Sequence, residues 1–216
     1  MKSQLLFIVL VSCAVLFSCS EGKKENQSVI TARDSILKST PADKKAPSFE
    51  ETVYSVLKAL EKKDQAALDA LTSPKEGFVV VYRSGVFNEY KHLDKVDFSK
   101  PVPETFPYPS FVSNEKLKYA DLPKFNCGSM EWNKYGLYCD TIHRDTLLSG
   151  VPKNLREYRG DKIPDSEVEK LQQLEKNSRR VVLASAKGND LIFYLTLIGN
   201  KWYLTAIDRI TTDCSA

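Results

Sequence analysis

The spacing of apolar residues along this 216-residue chain changes from that of helices in its first part to that of β-strands further on. After Ser48 and Glu51, which are spaced as a capping box, apolar side chains recur at the three- and four-residue spacing of one helical face. Asp64 stands where it can cap a second, shorter helix, and that helix must end before Pro74 because the residue before a proline avoids helical geometry. The pattern predicts two consecutive helices at the start of a folded domain.

The period changes to that of β-strands further along the chain. Residues 78–82 are β-branched or aromatic, and the turn at Gly85 leads into a second short strand. Near the C-terminus, residues 180–186, 191–198 and 201–210 are extended segments separated by turn-forming residues, which predicts an antiparallel meander. The fold class expected from this order is α+β, with an antiparallel sheet packed on the N-terminal helix.

A long segment that mixes prolines with aromatic residues lies between the first strands and the meander. Five of the ten prolines fall within residues 100–124, beside Phe106 and Tyr108, so regular strand pairing is blocked while aromatic surface remains available. These aromatics either pack onto the core as a lid or form a recognition surface. Ser166 and Glu169 are spaced as another capping box, which predicts a further helix after this segment.

The first residues of the chain have the layout of a secretory signal. An uncharged apolar run follows Lys2 and ends at Ser18 and Cys19. The run is shorter than the roughly 20 apolar residues that a membrane-spanning helix needs, so cleavage is favoured over a permanent transmembrane anchor. Residues 19–47 are rich in charged and small polar side chains and cannot bury enough apolar surface to fold alone. The predicted organisation is a signal peptide at 1–18, a flexible tether at 19–47 and one domain at 48–216.

The four residues Leu16-Phe17-Ser18-Cys19 resemble the bacterial lipobox, in which an invariant cysteine is lipidated before the leader is removed. The resemblance implies two or three acyl chains on Cys19, and more than one chain holds a protein stably on a membrane. In that family an aspartate after the cysteine favours inner-membrane retention. Ser20 occupies this position here, so the expected location is the outer membrane. The alternative is an ordinary signal peptide that is cut elsewhere, with Cys19 unmodified.

Charge and motifs exclude several classes of function. The formal net charge is +3, and loss of residues 1–18 removes only Lys2 among the charged groups, so the remaining charge is too small to indicate a nucleic-acid partner. The chain contains no glycine-rich phosphate loop, no zinc-protease helix motif and no serine-hydrolase elbow. No cofactor is therefore predicted.

Three cysteines remain once Cys13 leaves with the leader and Cys19 is lipidated. Export to an oxidising compartment permits two of them to pair. We expect a bridge between Cys127 and Cys139, because they bracket a short segment whose glycines can turn the chain. Cys214, near the chain end, is the competing partner. A zinc site is the functional rival, but there is no paired C-x-x-C, so no metal site is predicted.

Two short stretches resemble the NTF2-like (cystatin-like) superfamily. Residues 56–68 are similar to its helix-Asp-helix opening, and Asn200-Lys201-Trp202-Tyr203-Leu204 is similar to its last strands. The resemblance implies a curved antiparallel sheet that wraps a long helix into a cone, whose mouth holds a ligand or a catalytic acid and base. Residues 101–164 depart from the compact pattern of that superfamily as an insertion.

Few residues stand out as candidates for chemistry. His92 and His143 are the two histidines, so any imidazole-based mechanism must use one of them. Each lies near carboxylates, and solvated loop charges explain both clusters equally well. Tyr82, Trp202 and Tyr203 are the candidates for ligand contact, with core filling as the alternative.

Together these features predict a non-enzymatic lipoprotein of the cell envelope, held at the membrane by its lipid. Its pocket or aromatic loop is expected to bind a small molecule, a glycan or another envelope protein. The alternative is a pocket enzyme of the isomerase or hydratase type, in which His92, His143 or a carboxylate acts as the base. A third possibility is an accessory subunit that only holds partners near the membrane.

Overall fold

The computed structural model of the chain describes residues 46–109, 114–142 and 146–215. The predicted signal peptide, the tether up to residue 45, Cys19 and His143 lie outside the described residues. The described helices are α1 (Phe49–Glu61), α2 (Gln65–Leu71), α3 (Leu147–Asn154) and α4 (Asp165–Lys176), and a π-helical turn, Leu155–Arg159, extends α3. The described strands are β1 (Phe78–Ser84), β2 (Phe87–Leu93), β3 (Leu117–Tyr119), β4 (Phe125–Asn126), β5 (Glu131–Trp132), β6 (Gly136–Cys139), β7 (Ser178–Ala184), β8 (Leu191–Ile198) and β9 (Lys201–Asp208).

Seven strands form one sheet in the order β2-β1-β9-β8-β7-β6-β3, while β4 and β5 form a separate two-stranded ribbon. The α+β class is confirmed, as are the β1-β2 hairpin and the antiparallel meander of β7, β8 and β9. The expectation of a purely antiparallel sheet is wrong, because β1 pairs in parallel with β9 and β3 pairs in parallel with β6. The long segment between β2 and β7 makes this arrangement possible, since parallel neighbours need a long connection.

One face of the sheet packs against α1. The predicted capping box is confirmed: the Glu51 N–H donates to Ser48 Oγ (3.3 Å) and the Ser48 N–H donates to Glu51 Oε2 (2.7 Å). The helix then buries Val53, Val56 and Leu60 against alternate strand residues, since side chains of a strand point to opposite faces in turn. The strand residues of this core include Phe78, Val80, Phe193, Leu195 and Leu204.

The opposite face of the sheet is covered by α3 and α4, whose apolar residues pack on Val79, Val81 and Tyr194. The sequence did not predict α3. A helix was predicted at α4, but its capping box was wrong: α4 begins at Asp165 with Pro164 at the N-cap and without a side-chain cap. The helix starts one residue before Ser166, which is therefore already inside its first turn.

The segment that follows β2 packs onto the α1 side of the sheet. Val102 and Tyr108 are buried in the same core as α1, and the Tyr108 ring meets Phe98 edge-on at 6.2 Å. Phe106 remains 54% exposed. Residues 94–109, which we call the proline loop, therefore cover the core with some of their aromatic residues and present another to solvent.

The disulfide prediction was wrong. Cys127 is bonded to Cys214, with their Cα atoms 5.5 Å apart, and Cys139 is a buried free thiol. Cys139 lies in β6 between two neighbouring strands and points into the α1-side core. Cys127 is exposed on the turn between β4 and β5. The two cysteines therefore lie in different environments although they are close in sequence, and the C-terminal residues pass beside Cys127 instead.

Residues 44–216 form one compact unit. The apolar clusters on both faces of the sheet are completed by residues within this range, so we expect it to fold when produced alone. Within the parts of the chain that the structure describes, every helix is too short or too polar to cross a membrane.

Candidate ligand-binding cleft

A cleft opens where the parallel strands β1 and β9 end. Parallel neighbours finish at the same edge of a sheet, and the Arg209 N–H, just beyond β9, donates to Val81 O of β1 (2.9 Å). The proline loop and the C-terminal segment, residues 209–215, close the two sides around a hollow of about 600 Å³. We call this hollow the arginine cleft. Its lining comprises Tyr82, Arg83, Pro103, Thr105, Phe106, Met130, Arg209, Thr212, Asp213, Cys214 and Ser215.

Arg209 joins the sheet to the proline loop. Its Nη1 donates to Val102 O (2.7 Å) and to Phe106 O, and its Nη2 donates to Pro107 O (2.6 Å). The guanidinium also lies 4.1 Å from the centre of the Phe106 ring and 5.1 Å from that of Tyr108. Burial lowers the pKa of Arg209 to about 10, because a low-dielectric environment disfavours its charged form. The side chain still carries a positive charge at neutral pH.

Arg83 enters the cleft from the end of β1 and is half-buried. Its Nε donates to Asn88 Oδ1 (3.2 Å) on β2, and its Nη1 donates to Ser215 O (2.5 Å) in the C-terminal segment. Arg83 therefore connects the sheet to the second side of the cleft, as Arg209 connects it to the first. The two arginines approach one hollow from adjacent strands.

The C-terminal segment is held in place by local hydrogen bonds and by the disulfide. Asp213 Oδ1 accepts hydrogen bonds from the N–H (3.0 Å) and Oγ (2.6 Å) of Ser215. Cys214 lines the cleft and is bonded to Cys127, across a separation of 87 residues. Met130, on the same turn as Cys127, also lines the cleft. The disulfide thus ties two parts of the cleft wall together.

His92 lies elsewhere. It projects from β2 on the α4 side, where its Nε2 is within hydrogen-bond distance of Glu167 Oε1, and its ring meets Tyr90 edge-on at 5.7 Å. The pair is partly exposed to solvent. Asp97, which the sequence places near His92, instead accepts hydrogen bonds from Ser99, and these lower the pKa of its carboxyl. The described lining of the arginine cleft contains no imidazole.

The three aromatic candidates for ligand contact are separated in space. Tyr82 lines the arginine cleft. Trp202 packs edge-on against Phe49 of α1 at 4.9 Å, and Tyr203 lies under the ammonium group of Lys201 at 4.6 Å. Trp202 and Tyr203 are therefore accounted for by packing, whereas Tyr82 faces the hollow.

The sequence did not single out Arg83 or Arg209, because neither belongs to a recognisable motif. The one available signal was that Arg209 directly follows an apolar strand, where a charged side chain is unusual. Residues 46–109, 114–142 and 146–215 contain no group of three or more His, Cys, Asp or Glu side chains placed to hold a metal ion.

Comparisons with protein-family models, with curated proteins and with solved structures find no match to this chain. The class of the protein is therefore described from its structure alone. It is an α+β domain with a seven-stranded sheet, helices on both faces of the sheet and a cleft at one edge.

Proposed function

We propose that this protein is a lipid-anchored lipoprotein of the cell envelope whose domain binds a small molecule in the arginine cleft. The observation that carries the proposal is the cleft itself. Its volume of about 600 Å³ lies within the range of about 300–1,000 Å³ typical of small-molecule sites. Tyr82, Phe106 and Met130 give the wall apolar surface, and Arg83 and Arg209 give it charged groups. Apolar surface with convergent polar groups is also typical of such sites. These dimensions favour a small molecule over a glycan chain or a protein.

The proposed envelope location rests on the N-terminal sequence and on the disulfide. The apolar leader that ends at Cys19 has the order of features that directs export and lipidation. The Cys127–Cys214 bridge suits a protein outside the cytosol, because disulfides persist mainly in oxidising compartments. A polar tether of residues 19–47 would give the domain reach above the membrane surface.

We further propose that the domain is a variant of the NTF2-like fold. Two features support this: α1 and α2 are joined at Asp64, whose side chain caps α2 by accepting from the Ala67 N–H (3.0 Å), and α1 packs on one face of a sheet that ends in an antiparallel meander. The helices α3 and α4 on the other face belong to the insertion predicted at residues 101–164 or follow it directly. The insertion thus covers the second face of the sheet.

The binding proposal can be tested with the neutral dye N-phenyl-1-naphthylamine and the domain of residues 44–216. We expect a saturable rise in fluorescence with one dye per domain and a dissociation constant on the order of 10 μM. The variant Thr105→Phe places a ring in the hollow and should weaken dye binding at least about tenfold, because it occupies the volume that the dye needs.

The matched control is Thr146→Phe, which makes the same change at an exposed position outside the cleft and should leave the affinity unchanged. Circular dichroism should show that both variants are folded. Dye binding that does not saturate, or that survives Thr105→Phe unaltered, would show that the hollow is not a ligand site.

A further inference from the structure

Arg209 is a buried cation without a carboxylate partner among the described residues. The residue is 6% exposed, and the hydrogen-bond acceptors of its side chain are three backbone carbonyl oxygens of the proline loop. Carbonyl oxygens satisfy N–H groups but carry no net charge, so the positive charge remains uncompensated. These bonds use three of the five guanidinium hydrogens. The Nε hydrogen and one Nη2 hydrogen are left for another acceptor.

The neighbouring residue does not supply that acceptor. Asp208 precedes Arg209 but points to the other face of the sheet, where it pairs with Arg180 and accepts from the Ile210 N–H (2.8 Å) and from Thr211. Its carboxylate is fully engaged there. The anion closest in sequence therefore does not neutralise Arg209.

Arg83 adds a second positive charge to the same hollow. Its described partners are the amide oxygen of Asn88 and the carbonyl oxygen of Ser215, so it too lacks a carboxylate partner within the described residues. Among the described residues, one carboxylate, Asp213, lines the cleft, and it is occupied by an Asx-type turn with Ser215. Two arginines and one aspartate give the described part of the lining a net charge of about +1, and a concave low-dielectric wall concentrates the field of such a charge.

A second hollow, whose lining also includes Tyr82 and Pro103, provides a contrast. It has a similar volume, about 520 Å³, but three lysines and three carboxylates line it, and most of these side chains are exposed: Lys91, Lys95, Lys100, Asp94, Asp97 and Glu104. Its charges balance, and water screens them. Of these two hollows, only the arginine cleft combines a buried cation with a lining whose described residues carry a net positive charge.

We infer that the arginine cleft binds a small organic monoanion. The acidic head, a carboxylate, sulfonate or similar group, lies between Arg83 and Arg209 and accepts their remaining N–H groups. An apolar or aromatic body rests against Phe106 and Tyr82. This inference rests on the proposed function, since it names the class of ligand for the same cleft.

Two dyes that share one aromatic skeleton test this inference on the domain of residues 44–216. The dye 1-anilinonaphthalene-8-sulfonate carries a sulfonate, whereas N-phenyl-1-naphthylamine lacks it and is neutral. We expect the sulfonate dye to bind at least about tenfold more tightly, because hydrogen bonds to a charged group are stronger than neutral ones. Arg83→Gln should weaken binding of the sulfonate dye about tenfold more than binding of the neutral dye, because only the sulfonate dye loses a hydrogen bond to a charged group.

Arg156→Gln is the matched control. Arg156 is an exposed arginine that pairs with Asp165 and does not line the cleft. Its replacement should therefore leave the affinity for both dyes unchanged. Arg209→Lys keeps the positive charge but loses the planar guanidinium group. The affinity for the sulfonate dye should therefore fall, while the neutral dye still binds. The neutral dye thus serves as the readout that each variant retains its cleft.

The outcomes separate the two proposals. If the neutral dye binds but the sulfonate dye binds no more tightly, the cleft is a ligand site without anion recognition. If Arg83→Gln and Arg156→Gln weaken the sulfonate dye equally, surface charge alone explains its binding, and the inference fails. If neither dye binds the folded domain, the proposed ligand site itself is wrong.

Discussion

Asp208 and Arg209 are adjacent in sequence, yet their buried charges are stabilised in different ways. Asp208 is 4% exposed and forms an ion pair with Arg180, whereas Arg209 donates to backbone carbonyls and stacks on Phe106. Consecutive residues of a strand project to opposite faces. The end of β9 therefore supplies a neutralised pair to one face of the sheet and an uncompensated cation to the other.

Cys139 shows how burial controls reactivity at a single residue. Its side chain is fully buried, and burial, followed by the neighbouring Asp140 carboxylate, raises the pKa of its thiol to about 12. Because the thiolate is the reactive species, Cys139 should not react with a disulfide reagent such as dithionitrobenzoate at pH 8 while the domain is folded. One thiol per domain of residues 44–216 should react after unfolding in guanidinium chloride without reductant, because the other two cysteines of this range are bonded to each other. A fast-reacting thiol in the folded protein would contradict this expectation.

The same thiol makes stability depend on pH. Its pKa in the folded state is about 12, against 9.0 for an ordinary cysteine, so the unfolded chain loses this proton first. The contribution to stability is complete below about pH 9 and falls as pH rises above it. Between pH 7 and pH 10 the free energy of unfolding should decrease by about 1 kcal/mol more in the native sequence than in Cys139→Ala. Denaturant titrations at both pH values measure the difference, and equal decreases would exclude the effect.

At the scale of elements, the helices differ in the sequence separation between the helix N-terminus and the side chain that accepts its free N–H groups. The cap of α1 is local, since Ser48 and Glu51 are three residues apart. The N-cap residue of α3, Thr146, forms no side-chain cap. Instead the buried Glu175 of α4 accepts from the Leu148 N–H (2.8 Å) and from Ser149 Oγ (2.7 Å). A carboxylate at a helix N-terminus is favourable, but here a different helix supplies it.

The C-terminal segment depends on the disulfide more than on secondary structure. Residues 209–215 continue beyond β9 as turns and form one wall of the arginine cleft. Replacing Cys127 and Cys214 together by alanine should lower the free energy of unfolding by about 2–5 kcal/mol, because the closed loop restricts the unfolded chain. The double variant should also bind N-phenyl-1-naphthylamine more weakly, since one wall of the cleft is then released.

Cys139→Ala is the comparison for this experiment, because it removes a cysteine without removing the bridge. Unfolding in denaturant without reductant measures stability, and peptide mapping of the native domain identifies the linked cysteines. A Cys127–Cys139 peptide, or unchanged dye affinity in the double variant, would contradict the role given to the bridge.

At the scale of the whole molecule, the proposed lipid anchor would hold the domain, and with it the arginine cleft, at the membrane surface. In a Gram-negative host, the full chain should partition into the detergent phase with its mature N-terminus at an acylated Cys19. Cys19→Ser should retain its leader and lack the lipid, because no thioether can form. Cys13→Ser makes the same change inside the leader and should be processed normally. Mass spectrometry of the N-terminal peptide distinguishes these forms, and an unmodified Cys19 in the mature native protein would contradict the proposal.

Much of the secondary structure could be predicted because it depends on neighbouring residues. The capping box of α1, the Asp64 cap of α2, the β1-β2 hairpin and the three meander strands all follow from spacings of a few residues. The short strands β3 to β6 and helix α3 were missed, because they are brief and stabilised by distant partners such as Glu175. Of the cleft lining, the sequence named Tyr82 as a candidate for ligand contact and Phe106 as part of an aromatic segment that either packs on the core or forms a recognition surface.

The sequence by itself determined the elements with strong local periodicity and indicated an exported, lipid-modified chain, since caps, turns and leader features are properties of contiguous residues. Only the tertiary structure decided that β1 lies parallel to β9, that Cys127 bonds to Cys214 and that Arg83 and Arg209 share one cleft. Each of these joins residues that are far apart along the chain. Such pairings depend on how the whole sheet buries its two faces, and no short stretch of sequence contains that information.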